Sequence, residues 1–226
     1  MNERDHHLDF FKALALINMF VYHFIFDMQT FKIIDYNIFT DTKAIIWRVI
    51  IVSTFLICVG ISLVLVSKRL YVKRAFYLKS DFQLLIASFL VSIVTYLVFP
   101  NQWIYFGILH FILVSRYLLF PFIKSPKISL FMGILIIVLF FIFGFWNPFI
   151  YLSIDFLPSY SLDMINFIPW LAFIFFGIFL GHYPFYKKIV IWKNRKFLLI
   201  GRYSLFFYLL HQVVLFPLAY LISKII

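Results

Sequence analysis

The chain has 226 residues, 65% of them hydrophobic and 13% charged, with a mean hydropathy of +1.02 and a net charge of +11. That balance excludes a soluble globular domain, whose surface draws on about a quarter charged residues, and it excludes disorder and collagen; the single cysteine, Cys58, rules out an internal disulfide scaffold. The positive charge does not point to nucleic acid, because the 20 basic residues fall mainly in short segments between apolar runs, where orientation in a membrane accounts for them.

A membrane-spanning helix needs about 20 largely apolar residues to cross roughly 30 Å of hydrocarbon. Seven runs meet that need, at about 8–28, 43–66, 81–99, 104–122, 128–146, 164–182 and 203–223. They are too long and too continuous for barrel strands. The expected fold is therefore all-α: a polytopic membrane helical bundle of about seven transmembrane helices, forming one integral-membrane domain over residues 1–226. The first run is not expected to be a signal peptide, since Asp5, His6, His7 and Asp9 precede or enter it and no small-residue cleavage site follows.

Ionisable side chains inside a span cost at least about 2.5–3.5 kcal/mol at its centre, so each one invites a functional reading. In the first run, at about 100° per residue, Asp9, Lys12, His23 and Asp27 share one stripe along the helix. Such a stripe must face protein or water. The second run carries Arg48 about one turn from its outer end; the fourth carries His110 near its outer end and Arg116 deeper, on a different face. Asp163 opens the sixth run, which also holds Trp170. In the seventh, Ser204, Tyr208 and His211 fall on one face at i, i+4 and i+7. His23, Asp27, Arg48, His110 and Asp163 are thus expected in one layer of the outer leaflet. Each has a bland alternative: an interhelical clamp for His23 and Asp27, a carbonyl hydrogen bond for His110, a buried ion pair for Arg48, helix–helix adhesion for Tyr208 and His211. No metal-ligand spacing, phosphate loop or nucleophile elbow is present.

The loops set the expected orientation. Arg4, Lys12, Lys68, Arg69, Lys73, Arg74, Lys79, Lys124, Lys127, Lys187, Lys188, Lys193, Arg195, Lys196 and Arg202 fall on one side, against Lys32, Lys43 and Lys224 on the other. The positive-inside rule then places the N-terminus in the cytoplasm and the C-terminus outside. The outer loops are expected at about 29–42, 100–103 and 147–163.

Leu8-Asp9-Phe10-Phe11-Lys12-Ala13-Leu14-Ala15, then Met19, His23 and Asp27, resembles the opening of the heparan-alpha-glucosaminide N-acetyltransferase catalytic-domain family in its small bacterial members. Further fragments follow in order: Ser53-Thr54-Phe55, Val59-Gly60-Ile61-Ser62, Lys73-Arg74, Val94-Thr95-Tyr96, Tyr105-Phe106-Gly107-Ile108-Leu109-His110, Asp163, Ile168-Pro169-Trp170, Gly201-Arg202-Tyr203-Ser204-Leu205 and Tyr208-Leu209-Leu210-His211-Gln212. The Lys12-to-His23 spacing also resembles the basic-x10-His signature of transmembrane acyltransferases that acylate sugars. Two positions depart from the family: Lys12 stands for the usual arginine and Ala13 for the usual glycine. Lysine keeps the charge and loses the bidentate phosphate geometry.

The resemblance implies an acyl-CoA-dependent enzyme that moves an acetyl or other acyl group from the cytosol to an amine or hydroxyl of a glycan or amino-sugar outside, without a metal, in a bacterial cytoplasmic membrane. On that reading Lys12, Arg116 and Arg202, with Ser204 and Tyr208, hold acetyl-CoA. Its pantetheine arm matches the roughly 16 Å from Lys12 to His23 along a helix. His23 is the expected general base, oriented by Asp27, with an acetyl-histidine intermediate as the alternative. His110 or Arg48 is expected to stabilise the oxyanion. Arg48, Asp163, Trp170 and His211 are expected to bind the acceptor. The rival readings are a proton-coupled transporter, against which the sequence offers no repeat and no visibly broken helices, and a structural membrane subunit, which does not explain five ionisable groups at one depth.

Overall fold

The computed structural model describes the backbone of residues 4–68, 74–144 and 161–225, with side chains throughout except at 74–78. Arg69 and Lys73 of the expected basic loop, and the expected outer loop at 147–163 as far as residue 160, lie outside the described residues. Among the described residues all regular structure is helical. The α-helices are α1 (His6–Thr30), α2 (Thr42–Ser67), α3 (Arg74–Val98), α4 (Ile108–Leu118), α5 (Pro126–Phe143), α6 (Trp170–His182), α7 (Arg195–Arg202) and α8 (Ser204–Ile222), with short 3-10 turns at Phe120–Phe122 and Phe185–Lys188. Five of them, α1, α2, α3 from Lys79, α5 and α8, are long and apolar enough to cross a membrane. The outward face of α3 repeats Phe82, Leu85, Ile86, Phe89, Leu90, Ile93, Val94 and Leu97, all exposed. An apolar stripe of that length belongs against lipid, not water, and the protein is an integral membrane protein.

The fourth and sixth expected spans come out shorter than their apolar runs. α4 and α6 have 11 and 13 residues, about 16 and 20 Å of helix. The physical reasons are local. Residue 104 is held in a non-helical lead-in by side chains of α3: the Ile104 N–H donates to Thr95 Oγ1 at 3.0 Å and Ser92 Oγ donates to the Ile104 carbonyl at 2.7 Å. Carbonyls of the same stretch are taken by the segment before α6, through Leu162 N–H to Gln102 O at 3.1 Å and Ile165 N–H to Phe106 O at 3.4 Å. Pro169 lacks an N–H and restricts its predecessor, so α6 begins after it. Both helices thus start later than their apolar runs.

By its contacts the chain divides into two compact units, Met1–Cys58 with Phe185–Ile226, and Val59–Pro184. In the first, Asp5 caps α1 by accepting the Leu8 N–H at 3.1 Å, and Asp41 accepts the Ala44 N–H at 2.9 Å at the start of α2. α1 and α2 run antiparallel: Asn18 accepts the Trp47 indole N–H at 3.0 Å, and Gln29 accepts the Ile38 N–H at 2.9 Å. α8 runs parallel to α1, with His211 against His23, Gln212 against Asp27 and Phe216 against Phe31. The short α7 crosses α1 closely, since a Cβ on Gly201 would lie 1.8 Å from the Asp9 carbonyl oxygen.

In the second unit α3 and α4 are antiparallel, tied by Arg116 to Asp81 at 2.9 Å and His110 to Ser92 at 3.3 Å. α5 and α6 are antiparallel too, with Gly133 against Phe176 and His182 Nε2 donating to the Ile123 carbonyl at 2.7 Å. α2 and α6 run parallel. A Cβ on Gly60 would lie 2.2 Å from the Ile174 carbonyl oxygen and 2.8 Å from Gly177, and one on Gly181 would lie 2.7 Å from Val64. Small residues four apart let helix backbones approach in lipid, where no hydrophobic force drives helices together.

Replacing Gly201 or Gly60 with alanine therefore forces backbones apart, and each change should destabilise the detergent-solubilised protein by about 1–3 kcal/mol. The comparison is Gly144→Ala, where φ is +54° but nothing lies within 4 Å of the new Cβ; strain alone should cost about 1 kcal/mol. Thermal unfolding of the three variants checks the order.

Candidate functional site

The first stripe read from the sequence divides into two clusters along α1. At the basic end, Arg4 grips buried Asp9 with Nε–Oδ2 at 2.5 Å and Nη2–Oδ1 at 2.9 Å. Asp5 accepts Tyr186 Oη at 2.7 Å and pairs with Lys187 at 3.1 Å. Burial alone would raise the Asp5 carboxyl, but the bonds from Tyr186 and the Leu8 N–H, with Lys187, outweigh it and hold Asp5 below the usual carboxylate range. Burial and then the Asp5 carboxylate push the Tyr186 phenol up. These pairings consume Arg4 and Lys187. Lys12, half-buried one turn further along, makes no hydrogen bond or ion pair among the described residues. Arg202 is exposed, with its guanidinium 5.4 Å from the Tyr203 ring centre, and Ser204 is half-buried at the start of α8.

The second cluster lies where α8 packs on the outer half of α1. The His23 and His211 rings are in contact, 4.8 Å between centroids at 61°. Phe20 stacks on His211 at 5.7 Å, and Tyr208 lies 5.4 Å from it. His211 is 8% exposed and Asp27 is fully buried. His211 Nδ1 donates to the Tyr208 carbonyl; a carbonyl only accepts, so Nδ1 carries the proton and Nε2 keeps the lone pair in the neutral ring. Gln212 Nε2 donates to Asp27 Oδ1 at 3.2 Å, which orients Gln212 Oε1 as an acceptor. Four buried polar atoms in this cluster, His23 Nδ1, Asp27 Oδ2, His211 Nε2 and Gln212 Oε1, have no hydrogen-bond partner among the described residues. Buried polar groups are paired in most proteins, and exceptions gather where ligands bind or chemistry happens.

This arrangement differs from the expected His23–Asp27 dyad. No hydrogen bond joins His23 to Asp27; the neighbour of His23 is His211 and the partner of Asp27 is Gln212. The alternative reading of Arg48, a buried ion pair, is not seen either. Arg48 is exposed and has no ionic partner among the described residues, because its neighbour Trp47 takes the face of α2 that packs on Tyr22 and Asn18.

In the second unit His110 serves its own helix. Its Nδ1 accepts the Gly107 N–H at 3.2 Å, capping α4, and its Nε2 lies 3.3 Å from Ser92 Oγ. Because Nδ1 accepts, Nε2 carries the proton in the neutral ring and Ser92 Oγ accepts it, while the Ser92 hydroxyl hydrogen goes to Ile104. Both ring nitrogens are used. Arg116 is bound to Asp81 and to Ser80 Oγ at 3.0 Å. Asp163 lies at a turn against Gly107, where a Cβ would come 3.2 Å from its Oδ2. Trp170 starts α6 with its ring 5.8 Å from Phe173. Sequence reasoning did not foresee Gln212 as the partner of Asp27 or Asp81 as the partner of Arg116. The available signal was adjacency: Gln212 follows His211, and Asp81 opens the third apolar run.

His110→Ala removes a helix cap and a link to α3, and should lower stability by about 1 kcal/mol. His23→Ala removes a ring whose Nδ1 has no partner among the described residues and should leave the unfolding free energy within about 0.5 kcal/mol of wild type, or raise it.

The family model described as heparan-alpha-glucosaminide N-acetyltransferase, catalytic, matches residues 4–213. No curated protein and no solved structure matches the chain.

Proposed function

Because the chain belongs to the heparan-alpha-glucosaminide N-acetyltransferase catalytic family, we propose that it transfers an acetyl group from cytosolic acetyl-CoA to an amine or hydroxyl of a glycan on the outer side of the membrane, with His23 as general base. The observation that carries this reading is the group of four unpartnered buried polar atoms on His23, Asp27, His211 and Gln212. Asp27 Oδ2, Gln212 Oε1 and His211 Nε2 are acceptors, so the cluster suits a ligand rich in donors. A protonated amine offers three N–H bonds and a hydroxyl one, which favours an amino-sugar acceptor. His23 then removes a proton as the nucleophile attacks the thioester carbonyl.

Lys12 and Arg202 are the cations we assign to the acetyl-CoA phosphates. Arg116, committed to Asp81, leaves that set. Ser204 and Tyr208 remain candidates for the donor arm on the helix that carries His211. Asp163 and Trp170 are assigned to the acceptor, on the irregular lead-in and the first residue of α6. Interrupted helices also suit a proton-coupled transporter; family membership weighs for the transferase, and proton flux without acetyl-CoA would reverse the choice.

Within each unit the helix directions fit the expected alternation: in the first α1 and α8 run parallel and α1 and α2 antiparallel, and in the second α2 and α6 run parallel while α3–α4 and α5–α6 are antiparallel. With the N-terminus cytoplasmic, a cysteine at Lys193 should resist an impermeant thiol reagent in intact cells, and one at Asn101 should react, in a background lacking Cys58; the reverse labelling refutes the orientation.

Incubation with labelled acetyl-CoA and glucosamine-containing or hydroxylated glycans tests the activity. His23→Ala should lower turnover by about 10²–10⁴ while keeping the thermal stabilisation that acetyl-CoA confers by binding the folded state; Lys12→Ala should weaken that stabilisation. Normal turnover in His23→Ala sinks the assignment.

A further inference from the structure

Two histidines in ring contact are more than one general base requires. His23 and His211 face each other from α1 and α8 at 4.8 Å, and each has a buried ring nitrogen without a partner among the described residues. They are not equivalent. The Tyr208 carbonyl fixes the proton of His211 on Nδ1, and Phe20 stacks on the ring, so His211 presents a held lone pair at Nε2. Gln212, the next residue on α8, donates to Asp27, and Asp27 Oδ2 and Gln212 Oε1 are two further buried acceptors without a partner among the described residues. Such a set receives a cation with N–H donors.

The chemistry of that cation calls for two proton acceptors. An ammonium must lose one proton to expose its lone pair and a second after its nitrogen has attacked an acyl carbon, whereas a hydroxyl loses one in all. Resting on the transferase reading above, we infer that His211 is a second catalytic base. Its Nε2 takes the first proton from a bound ammonium, and His23 takes the second. The resulting amine nitrogen forms the C–N bond to the thioester carbonyl carbon. The C–S bond breaks, its electron pair leaves on the CoA sulfur, and the thiolate recovers one of the two protons while the other passes to solvent. Division of labour explains why the two rings touch and why Gln212, next to His211, binds Asp27: the carboxylate stays beside the ammonium that His211 must deprotonate.

The titratable groups around His211 are His23 from α1, with Asp27 reached through Gln212, and Tyr208 on its own helix. Arg195, Lys196 and Arg202 of the preceding α7 make no hydrogen bond or ion pair with it among the described residues.

The test uses the full-length protein in proteoliposomes, labelled acetyl-CoA and two acceptors. Glucosamine carries an amino group that titrates near roughly pH 8, as an α-amino group does; methoxyamine is already unprotonated at neutral pH. His211→Asn keeps an N–H for the Tyr208 carbonyl and removes the Nε2 base. It should lose about 10²-fold on glucosamine below neutral pH, with the loss shrinking as pH rises past the amine pKa, and it should lose less on methoxyamine at every pH. His23→Ala should lose on both acceptors alike. An equal loss for His211→Asn on both acceptors at all pH values, or no loss on glucosamine, overturns the inference and leaves His211 structural. If His211→Asn does not fold, judged by thermal unfolding, His211→Gln is measured against the same two outcomes. A wild type that acetylates neither acceptor overturns the transferase reading itself, and this inference with it; a wild type active on both isolates the question to His211.

Discussion

Hydrocarbon offers no hydrogen bonds, so a polar atom inside a lipid-embedded helix bundle must find its partner in protein or in a ligand. Most of the intramembrane polar groups here obey that constraint locally. Asn18 reaches Trp47, Arg116 reaches Asp81, and His110 spends both ring nitrogens on Gly107 and Ser92. Ser115, Ser161 and Asn166 each leave a buried atom unpaired among the described residues, but only the cluster of His23, Asp27, His211 and Gln212 gathers four such atoms around one helix contact. Its residues are buried or half-buried, two of them are joined by a hydrogen bond, and one free polar atom remains on each. The functional reading follows from that contrast more than from residue identity, because His110 is also an intramembrane histidine and its geometry is that of a cap.

The same constraint shapes the backbone. With no hydrophobic force between helices in lipid, close association depends on small residues: Gly60 and Gly201 bring backbones to distances that a methyl group would forbid, and Gly181 makes room for Val64. The α1–α7 crossing at Gly201 sets α7 against the first turns of α1, and α8 continues along α1 immediately afterwards. That continuity puts His211 at the level of His23. The irregular lead-ins to α4 and α6 obey the rule in another way: their backbone groups bond to one another and to Ser92 and Thr95.

Charge on the basic side is less available than a count of lysines and arginines suggests. Arg4 and Lys187 are bound to Asp9 and Asp5, and Arg116 to Asp81. Lys12 stands without such a partner, half-buried, about 16 Å along the helix from His23. An anionic donor held near Lys12 would therefore meet few competing carboxylates that are not already paired.

Composition and run length by themselves determined the membrane class, the all-helical fold and, among seven expected spans, the five that are long and apolar enough to cross a membrane, because burial in lipid demands uninterrupted apolar length whatever the tertiary arrangement. Ordered fragments from Asp9 to His211 were enough for the family, and helical spacing placed His23 and Asp27 on one side of α1. Pairing between helices was not legible, since periodicity says which face a residue occupies and nothing about what faces it. The His23–His211 contact, the Gln212–Asp27 bond, the exposure of Arg48 and the capping role of His110 all depend on how helices distant in sequence meet. Likewise the late starts of α4 and α6 escaped an apolar-run reading, because side chains of α3 and a proline, not a loss of hydrophobicity, hold the preceding residues out of those helices. Only the tertiary structure decided which polar groups are satisfied, and hence which are left to act on a substrate.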